Sequence, residues 1–364
     1  MVSLMGLIAL PLIASTKLDS TPYWRGVDMS FIPEYRDLKA TYYVETKPID
    51  PLVAMKNTGA NMLRLRVWVN PEKGYCDTAH TVQMASEAKN LGMEVMIDFH
   101  YSDFWADPAK QYPPKQWAKY NLEQMCEATR LHTKEVLIKL KAKGVDPKII
   151  AIGNEVRPGM MWPIGQISKN GYAGFTSLLK AGVKGAEEAQ KQVKLKPFQI
   201  MIHNDAGGDK TECDQFYSNI AAAKVRFDVI GLSYYPWWHG TLDQLKSNLD
   251  NLATKFNRPV IVTETAYPFT NEWKDKTGNF VYEKTKMNCS FPNTIEGQSQ
   301  FLAALHQVVK STPNRLGQGV LYWAPEYVAH PGIETPCENL ALFDFNNQVL
   351  PGAYALGEKT IPKK

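Results

Sequence analysis

The chain reads as one closed (β/α)8 barrel, a TIM barrel with extended βα loops around an open substrate cleft. Two observations carry that reading. Eight short β-branched or apolar runs each end in polar or aromatic residues, with loops and amphipathic helical patterns between them. No low-complexity linker divides the sequence, so the units belong to one domain. Strands alternating with helices imply a parallel sheet. Eight alternations close it into a barrel, which needs roughly 250 residues or more. A GxGxxG does not follow the first run, which disfavours an open dinucleotide-binding sheet.

The eight runs are Trp24–Ser30, Met62–Val69, Glu94–His100, Ile149–Glu155, Phe198–Asn204, Phe227–Tyr234, Pro259–Ala266 and Gly319–Pro325. Helical periodicity covers Pro48–Thr58, Thr81–Leu91, Gln116–Lys143, Tyr172–Gln190, Thr211–Lys224, Thr241–Phe256 and Glu296–Lys310, with Gly144 stopping the third.

Composition narrows the class. Of 364 residues, 44% are hydrophobic and 21% charged, which excludes a disordered or collagen-like chain. A net charge of +4, evenly spread, does not indicate a nucleic-acid partner. Met1–Ser15 (MVSLMGLIALPLIAS) is apolar but too short to span a bilayer. It resembles the apolar part of a secretory signal without the usual basic start. The expected division is a leader over 1–16 and the barrel over 17–364, with a buried N-terminal segment as the alternative. A secreted, periplasmic or bacterial cell-surface protein follows, monomeric and without a membrane span. The five Cys are widely spaced with no CxxC pair, so zinc is not expected. Export would permit a Cys289–Cys337 disulfide in late loops, with free thiols the alternative.

In such a barrel the active site lies at the C-terminal ends of the strands. Those ends carry Asp28, Arg66, Trp68, Asp98, His100, Asn154, Glu155, His203, Asn204, Tyr234, Glu264 and Trp323. Burying such groups is costly unless they are paired, and packing alone would be served better by alanine or valine. Glu155 and Glu264, closing runs four and seven, would face each other across one barrel end. Such a pair suits a retaining glycosidase, whose two carboxyls stand about 5–5.5 Å apart. The nucleophile must stay ionised, so Arg66 and Tyr234 are its expected neighbours. The acid must keep its proton and needs a less polar setting. Asn154 precedes the first Glu, where its amide suits a sugar 2-hydroxyl. Capping of the next turn is the competing use for Asn154. Trp105, Trp162, Trp237 and Trp238 lie in βα loops, where indoles stack on sugar rings or else pack loops on the barrel.

These residues resemble those of clan A glycoside hydrolases, and more closely glycoside hydrolase family 53, the arabinogalactan endo-β-1,4-galactanases. The matching segments are GVDMSFIPEYRD from Gly26, LRLRVWVNP from Leu63, DFHYSDFWADPAKQ from Asp98 and IGNEVRPGMMWPIG from Ile152. HNDAGGD from His203, GLSYYPWW from Gly231, TETAYPF from Thr263 and YWAPEYV from Tyr322 complete them. The resemblance implies that Glu155 is the acid/base and Glu264 the nucleophile. It implies support from Arg66, His100, Asn154, His203, Tyr234 and Trp323, with Asp28, Asp103, Trp105 and Trp237 lining the cleft. The implied substrate is β-1,4-galactan, the galactan side chain of pectin, and no organic cofactor is needed. Some members bind calcium in the loop after strand seven. Here that loop is Lys-rich and holds Asp275, Glu272 and Glu283. A hard cation wants several oxygen ligands, so a calcium site of that kind is not expected. One built from backbone carbonyls stays open. The residues alone do not separate galactan from mannan, xylan or glucan, or an enzyme from an inactive glycan-binding barrel.

Overall fold

The computed structural model describes residues 22–362. The expected leader lies outside the described residues. The barrel strands are β1 (Trp24–Asp28), β2 (Met62–Val67), β3 (Glu94–Phe99), β4 (Ile149–Ile152), β5 (Gln199–Asn204), β6 (Val229–Ser233), β7 (Val260–Thr265) and β8 (Gly317–Trp323). Each pairs with its neighbours in parallel, and β8 closes onto β1. The outer helices are α1 (Pro51–Thr58), α2 (Thr78–Asn90), α3 (Leu122–Ala142), α4 (Tyr172–Val193), α5 (Lys210–Ala222), α6 (Leu242–Phe256), α7 (Ile295–Lys310) and α8 (Pro351–Leu356). Among the described residues no helix is long and apolar enough to cross a membrane.

Helix starts follow from local chemistry. The Asp50 carboxylate accepts the Leu52 amide N–H at 2.9 Å ahead of α1. Reciprocal capping boxes, Asn121 with Gln124 and Thr241 with Gln244, start α3 and α6. Each satisfies amide donors that a helix start leaves unpaired.

The barrel interior is sorted by height. Its N-terminal half is closed by an apolar cluster of Trp24, Met62, Met96, Ile149, Ala151, Met201, Val229, Ile261 and Leu321. Two residues further along β2, β3 and β5, and four along β1, the inward positions become Arg64, Asp98, His203 and Asp28, all buried. Alternation along a strand sends every second side chain inward, so the apolar plug and the polar layer come from the same strand faces. The plug seals one end, and the buried polar layer lies toward the C-terminal end.

Room for the plug comes from inward glycines. A Cβ at Gly26 would lie 2.3 Å from Leu321 Cγ. Gly26→Ala should therefore cost about 1–3 kcal/mol, the usual range for overpacking a filled core. Urea unfolding checks this, with a lower midpoint at unchanged slope. An unchanged midpoint would show that the plug is loosely packed.

All five cysteines are free thiols. This corrects the expected Cys289–Cys337 bridge. Cys337 is buried at the wall of the central cavity, whereas Cys289 lies against the Tyr267 hydroxyl at 3.3 Å.

Candidate active site

The barrel mouth opens into a cavity of about 290 Å³. Glu155 and Glu264 both line it, with Asp28, Arg66, His100, Trp105, Asn154, Trp237 and Trp323. Two backbone irregularities bring the carboxylates there. On β4 the chain leaves the strand with φ of +88° at Gly153 and +47° at Glu155. Consecutive side chains of a regular strand point to opposite faces. The left-handed turn breaks that alternation, so Asn154 and Glu155 both reach the cavity. Such a conformation is strained for a glutamate and is the kind of strain that collects at functional sites. Between β6 and β7 the register shifts, pairing Leu232 with Val262 but Ser233 with Glu264. This bulge re-aims Glu264 inward.

Arg64 ties the site together. Its Nη1 lies 2.6 Å from Asp28 Oδ2 and 2.8 Å from Glu264 Oε1. Its Nη2 lies 2.9 Å from Asp98 Oδ2 and 2.7 Å from Asn154 Oδ1. Although burial opposes any charge here, Arg64 and His100 outweigh it at Asp98 and hold that carboxyl at about 2. Glu264 shares the guanidinium with two other carboxylates, and the Tyr235 hydroxyl donates to its Oε2 at 3.0 Å. Burial still lifts Glu264 to about 7, with Arg64 pulling the other way.

Among the described residues no Lys or Arg pairs with Glu155. Burial pushes its carboxyl well above the usual range, and the charge of Glu264 adds to that. The bridge to its Oε1 is Ser233 Oγ at 2.6 Å, which also stands 2.8 Å from His203 Nε2. His203 Nδ1 lies 2.9 Å from Asn154 Oδ1, which already accepts from Arg64. That oxygen cannot be exchanged for the amide nitrogen, so Nδ1 carries the imidazole proton. The Glu155 amide, at 3.3 Å, is the weaker claimant on Nδ1. His203 Nε2 then accepts from Ser233, whose oxygen is left to accept a proton held by Glu155. Burial also keeps His203 well below its ordinary pKa, hence neutral.

His100 is fixed in one tautomer as well. Its Nε2 donates to Asp98 at 3.0 Å, while Nδ1 accepts from Trp68 Nε1 at 3.3 Å and from the Ala106 amide at 3.2 Å. Arg66 sits between the Phe31 and Trp105 rings, 4.0 and 4.2 Å from their centroids. Its charge is held by aromatic faces.

Four expected roles change place. Arg66 does not touch Glu264; Arg64, one inward position deeper on β2, does. Tyr234 points outward, donating to the Gly240 carbonyl at 2.9 Å, and Tyr235 takes the position beside the nucleophile. The run on β6 alternates inward through Ser233 to Tyr235, so Tyr234 has the wrong parity. His203 is fully buried beneath Asn154 and Glu155 and acts on them, not on the cavity. Asp103 accepts the amides of Asn70 and Lys115, both at 2.9 Å, and so ties loops together. Trp162 likewise stays out of the cavity, against Tyr112.

In the loop after β7, the Asp275 carboxylate accepts the amides of Thr277 and Thr335, both at 2.7 Å. Glu338 accepts the amides of Lys274 and Asp275. Among the described residues no three His, Cys, Asp or Glu side chains group as a metal site.

The chain is similar over most of its length to known proteins. An uncharacterized protein of Niallia circulans is 38% identical over 91% of this chain and 92% of its own length. The arabinogalactan endo-β-1,4-galactanase of Cellvibrio japonicus is 32% identical over 94% of this chain and 93% of that one. The solved GH53 catalytic domain of Ignisphaera aggregans is 31% identical, with a TM-score of 0.86, covering 96% of this chain and 99% of that one. Xylanases at 13–17% identity share the fold alone. The model of glycosyl hydrolase family 53 matches residues 24–356, and the chain belongs to that family.

Proposed function

We propose that this glycoside hydrolase cleaves β-1,4-galactan internally by double displacement, with Glu264 as nucleophile and Glu155 as acid and then base. The observation that carries the reading is the contrast between two glutamates in one cavity. Glu264 is held by a guanidinium and a phenol, whereas Glu155 is held by a single hydroxyl and burial. Environments that push two carboxyls apart assign the acid and the base. Galactan as substrate is supported by the names of relatives such as the Cellvibrio japonicus enzyme.

The steps follow from the contacts. Protonated Glu155 gives its proton to the glycosidic oxygen as the bond to the anomeric carbon breaks. Glu264 Oε attacks that carbon from the opposite face and forms a glycosyl ester. Arg64 and Tyr235 favour the ionised carboxylate against burial and aim it at the carbon it attacks. Glu155, now anionic, withdraws a proton from water, which opens the ester and restores both groups. The spare N–H of Asn154, whose other N–H donates to the Ala106 carbonyl at 2.9 Å, suits the sugar 2-hydroxyl. This chemistry requires no cofactor. A polymeric substrate places the work outside the cytoplasm.

Digestion of linear β-1,4-galactan, with product sizing and proton NMR of the first anomer formed, tests the whole reading. Oligosaccharides of several lengths and an initial β-anomer are expected. Release of single terminal sugars only, or an initial α-anomer, would overturn it. Turnover of mannan or xylan but not galactan would move the substrate while leaving the chemistry.

A further inference from the structure

Arg66 is 1% exposed, and among the described residues none of its three guanidinium nitrogens has a hydrogen-bond partner. Its Nη1 approaches Asp28 Oδ1 only to 3.9 Å, too long for a hydrogen bond. The Phe31 and Trp105 rings cover its flat faces, 4.0 and 4.2 Å away. They offset charge, but a guanidinium carries its five N–H donors in its own plane, at edges that ring faces do not meet. A buried cation with unpaired donors is costly. Those edges call for an acceptor from outside the chain.

The guanidinium lines two spaces. One is the catalytic cavity. The other is a chamber of about 90 Å³ behind it, walled by the chain after β1 and the loop after β2. Burial pushes the Cys76 thiol of this chamber up and Arg66 pulls it back down, so the guanidinium faces that sulfur. The other polar groups of the wall are engaged. Cys76 Sγ donates to the Ser30 carbonyl at 3.5 Å, Ser30 Oγ to Asp28 at 3.0 Å, and the Tyr75 hydroxyl to Asp37 at 2.7 Å. Lys73 Nζ pairs with Glu34 at 3.1 Å, and its 75% exposed side chain marks where the chamber meets solvent.

Charge names the ligand. Free donors beside a lysine suit an anion better than a neutral hydroxyl. Asp28 on one flank and Glu34 on the other repel a second negative charge, which disfavours sulfate or phosphate. A chamber of this volume has room for a small ion. We propose that it binds one small monovalent anion, chloride or bromide, on the in-plane N–H groups of Arg66, with Lys73 at the entrance. The anion keeps Arg66 between its two rings and off Asp28. Trp105 lines the catalytic cavity, so filling the chamber firms one wall of the active site. The site does not depend on which glycan is cleaved.

The test titrates the full-length enzyme with sodium chloride against sodium gluconate at constant ionic strength, so that screening stays fixed. Half-saturation in the millimolar range is expected, and the melting temperature should rise saturably by about 2–4 °C. Over the same range kcat/KM on galactan should rise about fivefold. Bromide should replace chloride, and sulfate should not. Arg66→Gln should abolish the response. Two variants at the chamber's outer edge serve even if that one does not fold. Lys73→Ala should raise the half-saturating chloride about threefold, and Glu34→Gln should lower it by about the same factor, the worth of one partly exposed charge. Ionic strength or lost packing would not give the two opposite signs. No saturable rise in melting temperature, an equal rise with sulfate, or edge variants that shift half-saturation the same way or not at all would overturn the site. Saturable melting with unchanged kcat/KM would overturn its hold on Trp105. Melting reads the anion without turnover, so a wild type that fails to cleave galactan would sink the substrate reading and not this one.

Discussion

Glu264→Ala should lower hydrolysis of galactan by at least about 10⁴-fold, the scale on which loss of a covalent nucleophile acts. No other carboxylate replaces it, because Asp28 and Asp98 are both committed to Arg64. The fold should survive. Arg64 keeps two carboxylates and the Asn154 oxygen after the substitution, so its charge is not left unpaired. The shortened side chain leaves space on the attacking face. Added azide should enter it and restore turnover of an activated aryl glycoside. The product would be an α-glycosyl azide, because a single displacement inverts the carbon. Glu264→Gln fills that space and should not be rescued. Rate measurements with and without azide, and NMR of the azide product, decide the matter. Wild-type turnover by the Ala variant, or a β-azide, would remove Glu264 from the nucleophile's position.

Much of this arrangement was legible in the sequence, for a definite reason. Runs such as IIAIGNE and VIVTETA change from aliphatic to polar within one pleat, and that change marks the open end of the barrel. Strand limits lie within a few residues of those expected because β-branched runs are bounded by turn-forming residues. The six-residue α8 escaped notice, since PGAYAL is too short to show a helical period. Inside the site, what failed was parity. Arg64 and Arg66 are both inward in MLRLRV, and residue type alone does not say which one sits at the height of Glu264. Ending the β6 run at Tyr234 put the wrong tyrosine beside the nucleophile. Only the alternation through Ser233 and the bulge opposite Glu264 bring Tyr235 there. Asp103 was misplaced because a loop carboxylate that caps amides looks the same in sequence as one that binds sugar.

Glu155→Gln separates acid from nucleophile. On galactan, whose leaving sugar needs a proton, the variant should lose about 10²–10⁴-fold, the usual contribution of a positioned acid. An aryl glycoside with an acidic phenol leaves without that proton, so its first step should be much less affected. The second step loses its base, so glycosyl-enzyme should accumulate and give a burst of phenol followed by slow turnover. The pH profile carries the stricter test. Activity needs Glu264 ionised and Glu155 protonated. Wild-type kcat/KM should rise with pH as Glu264 ionises, near about 7. It should fall at higher pH as Glu155 gives up a proton that burial and the Glu264 charge help it retain. A neutral amide cannot titrate, so the variant on the aryl substrate should keep the rise and lose the fall. Equal losses on both substrates, or a falling limb that persists, would mean that some other group supplies the proton. Ser233 would then be bridging His203 to a carboxyl that takes no part in the reaction.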